Sequence, residues 1–292
     1  MTTHAAERAR ASLRSLSVGD ALGSQFFVPA NRPAYEAQTL PPGPWQWTDD
    51  TEMAASIYVV LSTHGTIDQD ALASSFAEHH DFDRGYGPST GRLLRLVREG
   101  GDWRVLAKEP FDGLGSWGNG AAMRVAPLGA WFAGDPAEAA RQAALSAEVT
   151  HPHPEGIAGA VAIAVAASLA PAAPRPGPFL DEILRHVPPG TVREGIAEAR
   201  GLLPLGDPAT AAAVLGNGRD VAAHDTVPLT LWAAARHLGA PEAAFWTTAA
   251  AGGDIDTTCA IVGGAPAAWL AETEPLPPWA TTPAGTGPGT PR

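Results

Sequence analysis

Apolar residues recur at helical spacing along most of the chain. In residues 5–24, Leu13, Leu16 and Leu22 sit on a roughly helical spacing that stops near Gly23. Residues 50–63 follow a Thr-Asp-Asp start, and 136–149 open with a first-turn proline after Asp135; both are good helix openings. Helical patterns continue over 155–170, 179–187, 208–215, 226–238 and 241–251, and a last one runs from about Asp256 to about Leu270. No run of strands joined by hairpin turns is present. The pattern predicts an all-α chain with one compact helical domain over residues 5–272. Residues 273–292 are dense in Pro, Gly and Thr and lack apolar periodicity, which predicts a disordered tail.

Composition strengthens the helical reading. Alanine is about a fifth of the 292 residues and only 7% are aromatic; alanine favours helix, while aromatic and β-branched residues favour strands. The longest uncharged run, between Glu155 and Arg175, contains Pro171 and Pro174. About fifteen residues of it could be continuous helix, too few for a membrane span, so it reads as a buried core helix. The N-terminal residues lack an apolar stretch of signal-peptide length, and Cys259 is the lone cysteine. Both fit a reducing cytoplasm. The net charge of −12 excludes an extended nucleic-acid surface and anionic-lipid docking, both of which need Lys and Arg. It leaves divalent cations as partners for some carboxylates. A monomer is the default expectation.

Four segments carry side chains that are awkward for structure alone. Trp47-Thr48-Asp49-Asp50-Thr51-Glu52 reads as a helix N-terminus, with Asp49 and Glu52 at capping-box spacing. That accounts for one or two of the acids but does not require consecutive oxygens at Thr48, Asp49 and Asp50. Gly252-Gly253-Asp254-Ile255-Asp256-Thr257 is a helix entry after a Gly-Gly turn, or an oxygen-rich set suited to Mg²⁺ or Mn²⁺. Placed together, these two acidic clusters would repel; a cation pair would make the pairing attractive and could orient a substrate and activate a water. Ser116-Trp117-Gly118-Asn119-Gly120, leading into Ala121-Ala122-Met123-Arg124, is a plain glycine-rich turn or a diphosphate cradle of accessible amides at a helix start. No strand precedes it, which argues against a dinucleotide fold. Thr150-His151-Pro152-His153-Pro154-Glu155-Gly156 is a stiff helix lead-in or a weak metal motif; no third histidine or cysteine at matching spacing supports zinc.

In order and wording these segments, together with Gly19-Asp20-Ala21-Leu22-Gly23, resemble the ADP-ribosylglycohydrolase family. The resemblance implies a single compact orthogonal helical domain with a dinuclear metal cleft holding two Mg²⁺ (or Mn²⁺). It implies metal ligation by Thr48, Asp49, Asp50, Asp254, Asp256 and Thr257, with catalysis centred on Asp49, Asp50, Asp254 and Asp256. It further implies substrate binding by Ser116, Trp117, Gly118, Asn119, Gly120, Met123 and His151, with the diphosphate and distal ribose on the Ser116–Gly120 loop and His151 near the adenosine end. One departure stands out: relatives commonly carry a glutamate seven residues after the aspartate of Gly-Asp-Ala-Leu-Gly, and here that position is Phe27.

The expected activity is hydrolysis of the bond between C1″ of ADP-ribose and an acceptor. The substrate would be an ADP-ribosylated protein, nucleobase or small molecule, and ADP-ribose the product. Two other readings stay open. Phe27 motivates a non-catalytic ADP-ribose binder or crystallin-like relative, and the paired acids also suit a two-metal phosphohydrolase acting on a nucleotide diphosphate.

Overall fold

The computed structural model describes residues 2–169 and 175–273. The chain opens with α1 (Thr2–Ser24) and the short α2 (Arg32–Glu36). An irregular stretch leads into α3 (Asp49–His64), α4 (Gln69–His79) and α5 (Pro88–Arg98). Then come α6 (Trp103–Leu106), the single turn α7 (Pro110–Gly113), α8 (Gly120–Met123), α9 (Ala126–Trp131), α10 (Pro136–Glu148) and α11 (Pro154–Ser168). The remainder is α12 (Pro176–His186), α13 (Thr191–Gly201), α14 (Pro208–Leu215), α15 (Ala223–Arg236), α16 (Pro241–Ala250) and α17 (Ile255–Thr273). Among the described residues no strand forms, as the sequence pattern predicts.

The expected helices are present, with ends shifted by a few residues. Unexpected are α4, α5, α13 and several single turns. The start of α4 was legible, since the Asp68 side chain accepts from the Ala71 amide at 2.9 Å as an ordinary N-cap does. The start of α13 was not: Glu155, 36 residues earlier, accepts from the Thr191 and Val192 amides at 2.9 and 2.8 Å. Residues 170–174 and the expected tail from 274 onward lie outside the described residues.

The core is organised around α11. All but three of its fifteen residues are buried, among them Ala158, Ile163 and Val165, so the uncharged run is a core helix as far as Ser168. Among the described residues no helix is long and apolar enough to cross a membrane.

The first and last helices, α1 and α17, pack at backbone contact. A Cβ at Gly19 would lie 2.2 Å from the Cys259 carbonyl oxygen, and one at Gly23 2.7 Å from the Asp256 Cα. The Ser12 hydroxyl donates to the Gly264 carbonyl at 2.7 Å. Glycine is what allows this approach, and it places Asp20 of α1 beside Asp256 of α17. We expect Gly19→Ala to lower unfolding stability by about 1–3 kcal/mol through overpacking, measured by denaturant titration. An unchanged midpoint would contradict the close approach.

Candidate functional site

The site begins at the N-terminus of α3. Thr48 is the N-cap residue, yet its side chain makes no cap hydrogen bond. The cap comes from Asp20, which is fully buried. Its carboxylate accepts from the Thr48 amide at 2.9 Å and the Thr51 amide at 3.2 Å. It also accepts from the hydroxyls of Thr48 at 2.8 Å and Thr51 at 2.5 Å. The capping box does not form: Glu52 turns away and accepts from the Asp81 amide at 3.0 Å and the Tyr86 hydroxyl at 2.8 Å. With the first turn capped from another helix, Asp49 and Asp50 are not needed for that task. Asp50 is 1% exposed, and its Oδ1 is buried without a partner.

The second acidic segment meets this one. One carboxylate oxygen from each of Asp20, Asp50 and Asp256 lies within 4.8 Å of the others. Asp254 is held from two sides: its carboxylate accepts from the Asn119 side-chain amide at 2.8 Å, and its backbone amide donates to the Asn217 carbonyl at 3.1 Å. Thr257, 6% exposed, donates its amide to the Asp256 carboxylate at 2.9 Å.

Asn119 ties the glycine-rich segment to this cluster. That segment pairs with the 221–223 stretch, since the Asn119 amide donates to Val221 O at 3.1 Å and the Ala223 amide to Trp117 O at 3.0 Å. The Gly118 amide donates to the Ser116 hydroxyl at 3.1 Å. Two of the amides that the sequence marks as open to a ligand, at Gly118 and Asn119, are therefore engaged within the chain. The Trp117 ring lies 4.1 Å from the Phe111 ring, centroid to centroid, and edge-on to His153 at 5.4 Å. Met123, 4% exposed, is part of the main core. His151 is buried beneath Gly120, where a Cβ would come within 2.9 Å of its Nε2. His153 instead caps α11, its Nδ1 accepting from the Glu155 amide at 3.1 Å. Phe27 is 53% exposed, in the turn just past Ser24, whose hydroxyl donates to Gln46 O at 2.7 Å.

Burial and crowding raise the acids. Burial lifts Asp20 to about 6 against the pull of its hydrogen bonds. Burial and the neighbouring Asp20 lift Asp49 to about 7. Asp50 and Asp256 are pushed well above the usual carboxylate range, first by burial and then by the other aspartates. Removing charge from water without a counter-charge is costly. The donors are hard oxygens on both clusters, and Asp50 keeps a buried oxygen free, so the residues fit a hard divalent cation.

Sequence reasoning left Asp20 without a role, although its signal was present: it continues the apolar stripe of Leu13 and Leu16, where a charge is out of place. The contributions of Asn217 and Phe111 had no local signal.

A model of the ADP-ribosylglycohydrolase family matches residues 1–283. The chain is 32% identical over 195 residues to the ADP-ribosylhydrolase ARH3 of Danio rerio, covering 62% of this chain and 52% of that protein. It is 31% identical over 161 residues to the ADP-ribosyl-[dinitrogen reductase] glycohydrolase of Rhodospirillum rubrum, covering 51% of this chain and 52% of that protein. These matches span about half the length of the curated relatives. Among solved structures, an ADP-ribosylglycohydrolase-related protein complex superposes with a TM-score of 0.56 at 24% identity, covering 91% of this chain and 88% of that one; this likeness concerns the fold.

The raised acids set a pH dependence. Between pH 5.5 and 8 four acids hold protons in the folded, cation-free chain that they lose on unfolding, because Asp20 and Asp49 titrate near 6 and 7, Asp50 and Asp256 are raised as well, and unfolded carboxylates titrate near 4; they outnumber the opposing His80, His151 and His237, which burial lowers. Stability therefore falls as pH rises through this window. In EDTA the melting temperature is expected to drop from pH 5.5 to pH 8, and saturating Mg²⁺ should flatten that slope. Equal slopes with and without the cation would count against a cation at these carboxylates.

Proposed function

Since the chain belongs to the ADP-ribosylglycohydrolase family, we propose that it is a metal-dependent hydrolase that cleaves the glycosidic bond between C1″ of ADP-ribose and an acceptor. The observation that carries this reading is the meeting of Asp20, Asp50 and Asp256 within 4.8 Å, joined through Asp254 and Asn119 to the glycine-rich segment.

Thr48, Asp49, Asp50, Asp254, Asp256 and Thr257 would hold two Mg²⁺ or Mn²⁺ ions. When bound, such ions supply charge neutralisation and activation of a water nucleophile. The remaining work falls to this chain's own groups. Asp20 fixes the Thr48 hydroxyl and the first turn of α3. The Ser116–Gly120 segment cradles the diphosphate, with His151 beneath it and Met123 packed behind. The half-exposed Phe111 ring and the partly buried Trp117 ring against it suit stacking of a purine. In the reaction the water oxygen bonds to C1″, the bond from C1″ to the acceptor breaks, and the proton passes to the acceptor atom. The acceptor is an ADP-ribosylated protein side chain, nucleobase or small molecule, and the products are ADP-ribose and the free acceptor.

The test uses a panel of defined ADP-ribosyl linkages, assayed with Mg²⁺, with Mn²⁺ and after chelation. ADP-ribose should be released in a cation-dependent manner, and Asp254→Asn should lower kcat/KM by about a hundredfold or more. Full activity in that variant, or activity indifferent to chelation, sinks the mechanism. Release of AMP would instead show cleavage of the diphosphate. Tight binding without turnover would show a binder, the outcome that the phenyl ring of Phe27 would favour, since it cannot move a proton.

A further inference from the structure

Behind the glycine-rich segment lies a buried polar chain that the reaction above does not use. Arg124, at the end of α8, is fully buried and among the described residues makes no ion pair. One of its terminal nitrogens donates to Ser146 O at 3.0 Å and to Thr150 Oγ1 at 2.9 Å. The other lies 3.6 Å from Met53 Sδ, and the guanidinium sits 4.6 Å over the Phe76 ring. Thr150 Oγ1 in turn lies 2.7 Å from His151 Nδ1.

The direction of these bonds follows from the groups. A guanidinium can only donate, so the Thr150 oxygen accepts from Arg124. The Thr150 hydroxyl has no other acceptor among the described residues, so its proton goes to His151 Nδ1. That nitrogen is then the acceptor, and in a neutral ring the proton must sit on Nε2. Burial and the Arg124 charge keep the ring neutral by pulling it down to about 3. Nε2 is the atom under the glycines: a Cβ would lie 3.3 Å from it at Gly118 and 2.9 Å at Gly120. It has no partner within the described residues.

We propose that Arg124 and Thr150 are positioning residues that hold His151 in the Nε2-protonated tautomer, so that it presents one fixed N–H donor to an oxygen of the ligand seated on Ser116–Gly120. The assignment of that ligand as ADP-ribose rests on the function proposed above; the tautomer does not. A ring free to change tautomer would offer a lone pair to the same oxygen part of the time. Pre-setting the donor removes that mismatch before binding.

The experiment uses the full chain with Mg²⁺ and ¹⁵N-labelled histidine. The His151 ring signals are identified by their loss in His151→Asn, and long-range ¹H–¹⁵N spectra report the tautomer. Wild type should show the Nε2–H form. Thr150→Val, which keeps shape and removes the hydroxyl, should shift the ring toward Nδ1–H and weaken ADP-ribose binding about tenfold, the scale of one hydrogen bond. Thr150→Ser should restore both. A merely structural role for Thr150 would alter the unfolding midpoint and leave the tautomer unmoved. An Nδ1–H or doubly protonated ring in wild type overturns the proposal, as does a loss of affinity in Thr150→Val with the tautomer unchanged. Wild type that shows the Nε2–H ring but does not bind ADP-ribose overturns the ADP-ribose reading and leaves the tautomer assignment standing.

Discussion

Mutual repulsion among buried carboxylates is the constraint on which this structure turns. Asp20, Asp49, Asp50 and Asp256 all lie in or at the edge of a region closed to water; burial raises all four, and the Asp20 charge further raises the other three. Left to themselves such groups would separate or pick up protons. They are held because the helices that carry them cannot move apart. Backbone contact at Gly19 and Gly23 seats α1 on α17, and the same contact fixes Asp20 against Asp256. Stability gained in the apolar core is thereby committed to an arrangement that favours a divalent cation.

A helix N-terminus normally draws its own cap from the residue at its start. Here α3 is capped by Asp20, twenty-eight residues before Thr48. One carboxylate satisfies two amides and two hydroxyls, and the acids of the first turn are released for other work. Asn119 does the equivalent for the opposite cluster: its side-chain amide donates to both Asp254 and Thr226, the latter at 3.0 Å. The glycine-rich segment and the acidic turn at Gly253–Asp254 are thus one unit, with the Asn217 carbonyl holding the turn's far side. A ligand on the glycine-rich segment and a cation among the carboxylates would meet at this seam.

Much of this was legible in the amino acids. Helical spacing is legible in α1 through Leu13, Leu16 and Leu22, whereas α11, buried on nearly all sides, shows itself as an uncharged Ala-rich run. The two acidic segments stood out because neither needs so many oxygens for a cap. What the chain could not disclose are the bonds between distant segments. The Glu155 carboxylate that starts α13, and the Asn217 carbonyl behind Asp254, depend on tertiary placement alone. Asp20 lies between these cases. Its position on the stripe of Leu13 and Leu16 marks it as a buried charge, but its partners at Thr48 and Thr51 come from the fold.

The Thr150–Gly156 segment shows why a motif can look like a metal site and serve several ends. Pro152 stiffens the backbone and packs under Gly115, where a Cβ would meet its Cγ at 2.6 Å. His153 caps α11, and Glu155 starts α13. His151 lies beneath Gly118 and Gly120 of the glycine-rich segment. His153 is engaged at Nδ1, and Glu155 at both carboxylate oxygens, in holding helices. The remaining histidine is buried, neutral and bonded at one nitrogen, which suits hydrogen bonding better than ligation. The polar residues of this segment therefore divide into those that fix the scaffold and one, His151, that faces the glycine-rich segment. The same division separates Asp20, whose carboxylate holds α3, from Asp50, whose Oδ1 is buried without a partner.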